Sequence, residues 1–259
     1  MKDHMRLAAD LILSSRHLVA LVGAGMSAES GIPTYRGPGG QWSRFGEPSM
    51  LSYQHFIRDP VAWWAQRLEN EVSPDNPVYE LARAAEQAAP NPGHHALVEL
   101  ERQGYLKCTI TQNVDNLHRV AGSANVLEIH GNRTLLRCLD CGYRLPRKDH
   151  PLESLPPRCP ECQGILKLDT VMFGEAIPPQ VLKACLAQAQ QCDCMLLIGT
   201  SGTVKPAARL PVEAQARGAS LVEINDAATH LTSLCDVVLQ GPSGRLLPAL
   251  VELVNSGGR

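Results

Sequence analysis

Several absences narrow this 259-residue chain before any motif is read. Aromatic residues are only 4% of it, against 44% hydrophobic residues in all, so a buried core must be built mainly from aliphatic side chains. No apolar run approaches the roughly 20 residues that a membrane-spanning helix requires. Met1–Ser15 mixes charges with apolar residues at helical spacing and lacks a signal-peptide core, so a soluble, cytoplasmic protein is expected. There is no charge excess: the formal net charge of −2 gives no reason to expect direct nucleic-acid binding or attachment to a membrane. Internal repeats and low-complexity tracts are missing too. The length suits one large domain, or a large one carrying a smaller insert.

What is abundant is cysteine. Nine is a high and odd count for a chain without an export signal, and four of the nine fall in two close pairs. Cys138-Leu-Asp-Cys141 and Cys159-Pro-Glu-Cys162 are separated by 17 residues, the spacing of a four-thiolate zinc site. Four sulfur ligands close the tetrahedron and leave no position for water, so one structural Zn²⁺ is expected. A redox pair, or a zinc ribbon that binds nucleic acid, is the alternative; Asp140 and Glu161 inside the knuckles speak against the second.

Apolar, β-favouring runs recur at Leu18–Val22, Leu106–Thr111, Val126–Ile129, Met195–Ile198, Leu221–Ile224 and Val237–Leu239. Helical patterns lie at Met5–Arg16, Pro92–Gln103, Pro178–Gln190 and Ala207–Arg217. Strands alternating with helices predict an α/β fold with a parallel sheet covered on both faces. Two stretches interrupt the alternation: Pro38–Pro92, around a helix near Val61–Val72, and Cys138–Cys162. Both read as excursions that build a smaller domain. The expected division is therefore 1–37, 91–136 and 167–259 for the large domain, and 38–90 with 137–166 for the small one, a helical module plus a zinc module.

Polar residues gather just past the apolar runs, where parallel sheets bind ligands. Gly23-Ala-Gly25-Met-Ser27 follows the first run, and glycines there let backbone approach a pyrophosphate, though a tight turn alone explains them equally well. It is not the GxGxxG fingerprint, because Ala28 stands at the third glycine position. Thr111-Gln-Asn-Val-Asp115 follows the second run; one capping residue would suffice there, and three polar groups are present. His130 follows the third and suits a general base near neutrality, although a lone histidine is more often structural. Gly199-Thr-Ser201 and Asn225-Asp226 close two further runs.

In order and spacing these motifs resemble the sirtuins: Gly23–Arg36, Gln112-Asn-Val-Asp115-Asn-Leu-His118, His130-Gly131, the four cysteines, Phe173-Gly-Glu175, Gly199-Thr-Ser201 and Glu223-Ile-Asn225. The resemblance implies a Rossmann-like large domain and a smaller zinc-ribbon plus helical domain, with NAD⁺ and an acylated protein lysine meeting between them. It implies a dinucleotide site of Gly23, Ala24, Gly25, Ser27, Thr34, Tyr35, Arg36, Gln112, Asn113, Asp115, Gly199, Thr200, Ser201 and Asn225. Asn113 would position the nicotinamide ribose, and His130 would deprotonate a ribose hydroxyl so that the acyl group passes to ADP-ribose. Val171, Phe173 and Gly174 resemble the segment that pairs with an extended substrate peptide. The Thr34-Tyr35-Arg36 version resembles the branch that removes succinyl and malonyl groups by means of a Tyr and an Arg three residues apart. Trp64 and Arg67 hold the aligned positions here, which makes them candidate acyl contacts; a core Trp64 and a solvated Arg67 are the alternative. A mono-ADP-ribosyltransferase on the same scaffold and a non-enzymatic zinc and nucleotide binding module are the other readings.

Overall fold

Every side chain of Leu18–Val22 is apolar and buried, which fits only the middle of a sheet covered on both faces. The computed structural model describes residues 2–37, 39–152 and 154–257 and puts this segment there as strand β1; the domain boundary expected at position 38 falls outside the described residues. The strands that follow are β2 (Leu106–Thr111), β3 (Val126–Glu128), β4 (Gly131–Cys138), β5 (Arg144–Pro146), β6 (Leu166–Thr170), β7 (Cys194–Ile198), β8 (Ser220–Asn225) and β9 (Val237–Gln240).

Six strands form one parallel sheet in the order β3-β2-β1-β7-β8-β9. Numbered by appearance within that sheet, the order is 3-2-1-4-5-6, the Rossmann arrangement, and the direction of building reverses between β1 and β7. Successive side chains point to opposite faces. Leu18, Ala20 and Val22 pack with Leu196, Ile198 and Val222 against the helices Lys2–Ser14, Pro92–Arg102 and Ser243–Gly257. Val19 and Leu21 pack with Ile110, Met195 and Leu197 against Pro179–Gln191 and Leu210–Ala216. The expected parallel α/β fold is present, and its strands begin and end within one residue of the expected positions. The first helix starts at Lys2 instead of Met5, and the stretch after Ala207 splits into a 3₁₀ turn and a short helix.

A second, antiparallel sheet, β5-β4-β6, was not expected. Its strands β4 and β6 run across the positions where the two domains were divided, 136/137 and 166/167. Beside it stand the helices Ser52–Arg58, Pro60–Val72 and Pro77–Gln87. Asp59 caps the second, its carboxylate accepting from the Ala62 N–H (2.9 Å), with Pro60 in the first turn where no amide donor is needed. Phe56, Trp64, Leu136, Leu166 and Leu168 form the core between helices and sheet, next to Cys138 and Cys159. Of the two candidate acyl contacts, Trp64 sits as the core alternative has it: it is fully buried, and its indole N–H donates to the Leu166 carbonyl (3.0 Å), fastening helix to sheet. Among the described residues no helix is long and apolar enough to cross a membrane.

Candidate active site

The loops leaving β1 and β7 meet where the order of the sheet reverses, and their contact is made of backbone. The Gly23 N–H donates to the Ile198 carbonyl (2.9 Å) and the Gly25 N–H to that of Gly199 (2.9 Å). A Cβ on Gly25 would lie 2.7 Å from Gly199 Cα, and one on Gly23 would lie 2.8 Å from Thr200 Cα, so side chains here would force the loops apart. With the loops closed, the N–H groups of Ala24, Thr200 and Ser201 have no partner among the described residues. Such clustered free amides suit an anionic ligand.

A chain of hydrogen bonds spreads from this cradle. Asn225 Nδ2 donates to the Thr200 carbonyl (3.0 Å), and Gln112 Nε2 donates to Thr200 Oγ1 (2.8 Å). Asn113 is buried; its Nδ2 donates to the Gly23 carbonyl (3.0 Å) and to Ser27 Oγ (3.1 Å). Ser27 Oγ in turn donates to Asp115 Oδ2 (2.7 Å), while Asp115 Oδ1 accepts from the Leu117 N–H (2.9 Å). Burial pushes the Asp115 carboxyl above its usual range, against the pull of these bonds and of Arg133.

His130 stands between β3 and β4 with Nδ1 at 3.2 Å from the Gln112 carbonyl. A carbonyl only accepts, so Nδ1 carries the proton and Nε2 is left with its lone pair. Burial lowers the imidazole pKa below its ordinary value, partly offset by the Gln112 bond, so the ring is neutral at pH 7. This is the protonation state a general base needs.

The segment after the glycine loop closes one side. Thr34 Oγ1 donates to the Arg36 carbonyl (2.9 Å), Arg36 Nη1 donates to Thr203 Oγ1 (2.8 Å), and the Arg36 guanidinium lies 4.0 Å from the Trp42 ring centroid. Trp42 also meets Tyr35 (5.4 Å) and Phe173 (5.7 Å), so it links the segment to Val171–Gly174. That stretch is fastened to the site directly: the Val171 N–H donates to the His130 carbonyl (2.9 Å) and the Tyr53 N–H to that of Phe173 (3.1 Å).

Arg67 lies apart from this group. Its Nε donates to Glu71 (2.6 Å), whose carboxylate also takes both Nη atoms of Arg147 (3.0 and 2.5 Å). Arg133 is close enough for its charge to act on this cluster and also on Asp115, and burial lowers its pKa. Two guanidiniums, those of Arg67 and Arg147, therefore hold Glu71, with the charges of Arg133 and Glu86 nearby.

The four paired cysteines converge as expected. All four Sγ atoms lie within 4.8 Å of one another, with Cys138–Cys162 at 3.5 Å and Cys141–Cys159 at 3.7 Å. A tetrahedron with Zn–S bonds of about 2.3 Å has S···S edges of about 3.8 Å, so the set fits one Zn²⁺ and leaves no ligand position open. The two knuckles are alike: the Gly142 N–H donates to the Cys138 carbonyl (3.2 Å), and the Gln163 N–H to that of Cys159 (2.9 Å).

Two residues beside the site, Asn91 and His94, escaped the reading of the sequence. Asn91 donates from Nδ2 to the Met26 carbonyl (2.7 Å) and Ser30 Oγ (3.1 Å), anchoring the glycine loop while capping the helix Pro92–Arg102. His94 and His118 pack ring against ring at 4.9 Å, and burial drives their pKa values down to about 3 and about 4. Only the Asn-Pro step before that helix marked Asn91 as a cap; His118 ends the Gln112–His118 motif, but nothing marked His94, 24 residues away, as its partner.

Comparison with known proteins agrees with this geometry. The Sir2 family matches residues 23–206. An NAD-dependent protein deacylase 2 of Pyrobaculum aerophilum is 45% identical over 95% of this chain and 94% of its own. A solved Sir2 homolog–NAD complex is 39% identical and superposes with a TM-score of 0.79 over 96% of this chain and 93% of its own. A Sir2–p53 peptide–NAD⁺ structure superposes at 0.77 with 28% identity, over 98% of both chains. On the match over most of its length, the chain belongs to the Sir2 family, the sirtuins.

Proposed function

We propose that this protein is an NAD-dependent protein lysine deacylase, which releases nicotinamide and free lysine and passes the acyl group to ADP-ribose. The observation that carries the reading is His130: its Nδ1–H is fixed by the Gln112 carbonyl, its Nε2 is free to accept a proton, and the side chain of the same Gln112 reaches the phosphate-type cradle at Thr200 Oγ1. The NAD⁺-bound relative with the same fold supports the cofactor. Bound here, NAD⁺ supplies a glycosidic bond that can be broken and a sugar that can receive the acyl group.

The residues divide the work as follows. Ala24, Thr200 and Ser201 offer amides to the pyrophosphate, with Gly23, Gly25 and Gly199 letting it approach. Asn225 braces Thr200 from the adenine side. Asn113 and Asp115, tied together through Ser27, hold the nicotinamide ribose and carboxamide at a set angle, which is the orientation term in the rate. Tyr35, with Thr34 and Arg36 behind it, covers the reacting face and keeps water from it. His130 Nε2 takes the ribose hydroxyl proton as the acyl group moves. The zinc site holds the smaller sheet together and leaves the chemistry to these residues.

The substrate is an acylated lysine in an extended peptide. Support comes from Val171–Gly174, where the Phe173 and Gly174 N–H groups are unpartnered among the described residues and can pair with an added strand. The neighbouring peptide complex is consistent with it. On acyl choice, the excess of guanidinium over carboxylate around Glu71 favours acyl chains that end in a carboxylate beside acetyl. The nine unpaired cysteines suit a reducing, cytoplasmic setting.

One experiment tests the reading. Acetyl-, succinyl- and butyryl-lysine peptides are incubated with the protein and NAD⁺, and products are weighed by mass spectrometry. Equal amounts of free lysine, nicotinamide and O-acyl-ADP-ribose are expected, and Arg67→Ala should lower the succinyl-to-acetyl rate ratio. ADP-ribose retained on protein points to a transferase instead, and no nicotinamide release to a binding module.

A further inference from the structure

The pairing of β4 with β6 sets Arg137 directly opposite Lys167. Two cations side by side in a sheet repel unless anions lie between them. Here Asp169 and Glu175 do: Arg137 Nε donates to Asp169 Oδ1 (2.9 Å) and Nη2 to Glu175 Oε1 (2.7 Å). Lys167 is wholly enclosed, with its side chain 0% exposed. An ammonium has three N–H bonds, and this one has three acceptors in reach: the Leu168 carbonyl at 2.8 Å, the Thr170 carbonyl at 2.7 Å and Glu175 Oε2 at 3.1 Å.

A buried ion pair seldom adds stability over apolar side chains of the same volume, so the charge calls for another use. Glu175 shows what that use is. Its Oε2 also accepts from the Met172 N–H (2.9 Å), while its own N–H donates to the Met172 carbonyl (3.0 Å). The carboxylate thus closes Val171–Glu175 into a ring of bonds and hangs it from the ammonium. Both polar groups of Met172 are consumed in this way, and the Val171 N–H and Phe173 carbonyl are taken by His130 and Tyr53. The donors left without a partner among the described residues are those of Phe173 and Gly174.

We propose that Lys167 is a positioning residue for the acyl-peptide: by gripping Glu175 it fixes the Val171–Gly174 backbone so that the Phe173 and Gly174 amides meet an incoming strand. This rests on the deacylase reading above. It makes peptide affinity depend on a side chain that neither substrate touches.

The test is steady-state kinetics of the full, zinc-loaded chain as Lys167→Met and Lys167→Arg, with acetyl-lysine peptide and NAD⁺ varied separately. Losing a charge-assisted bond to the loop should raise KM for peptide by roughly tenfold or more. KM for NAD⁺ should stay within about twofold and kcat within about threefold of wild type, both small on the scale where tenfold is one such bond. Lys167→Arg should recover most of the peptide KM. Should Lys167→Met fail to fold, Glu175→Gln, which keeps the shape and removes the charge, must show the same split. An unchanged peptide KM overturns the proposal, and so does a parallel loss in both KM values and kcat, which marks a structural role only. A wild-type protein inactive on every acyl-peptide would instead sink the deacylase reading.

Discussion

Gly131 offers a quantitative test of how the two sheets share one site. It follows His130 with φ of +82°, and a Cβ there would sit 1.9 Å from the Asp169 carbonyl oxygen and 2.8 Å from its carbon. Gly131→Ala therefore obliges β6 to retreat by at least about 1 Å, since Cβ contacts under 3.0 Å are essentially never found. The left-handed backbone costs an alanine about 1–2 kcal/mol, and the lost bonding opposite Thr170 adds about 1 kcal/mol. A total near 3 kcal/mol lowers Tm by roughly 6–12 °C in a domain of this size. Because the Val171 N–H donates to the His130 carbonyl, the same retreat moves the base relative to the peptide segment. A misplacement of about 1 Å is worth on the order of 10² in kcat. Gly104 supplies the control: its φ is +81° and nothing lies within 4 Å of its Cβ position. Gly104→Ala should carry the backbone cost of about 1–2 kcal/mol alone and leave kcat unaltered. Calorimetry and initial rates decide the matter; if both alanine variants melt and turn over alike, the account of the close approach is wrong.

Two further outcomes are expected. His130→Ala should lower kcat by about 10²–10⁴; and because burial holds the imidazole pKa below its ordinary value of 6.5 and the base acts unprotonated, the half-point of the acid-side decline in wild-type kcat should lie below pH 6.5. A half-drop in kcat at or above pH 6.5 would contradict this. Stripping the metal with a strong chelator, or replacing Cys141 by Ser, should disorder the smaller sheet and shift the fluorescence of Trp64, with recovery on adding zinc to the wild type; metal-free protein with native fluorescence and full turnover would refute the structural role.

The parallel sheet was legible because its middle strands are buried on both faces, so Leu18–Val22 and Met195–Ile198 read as unbroken apolar runs. The site was legible for a related reason: Asn113, Asp115, His130, Thr200 and Asn225 all sit where such runs stop. β4 and β6 were not, because they carry the half-buried Arg137 and the buried Lys167, cations made tolerable by Asp169 and Glu175 through pairings that only the folded chain creates. Trp64 left two readings open: a Trp three residues before an Arg suits a recognition pair or a core, and the neighbouring strand's carbonyl at Leu166 decides which way the indole turns. The helix Ser243–Gly257 carried a readable signal in Leu246, Leu247, Leu250, Val251 and Val254, spaced for one apolar face.

β4 begins just after His130 and ends on Cys138, eight residues on, with an irregularity in its pairing to β6 between Gly131 and Leu136. Metal and imidazole are thus the two ends of a single ruler. Between Leu136 and Cys138, where the pairing with β6 is regular, an insertion or deletion of one residue would turn every later side chain to the other face, so that stretch is locked in length. Natural or engineered variation in size must instead be taken up where the ribbon leaves the ruler, between Pro146 and Cys159.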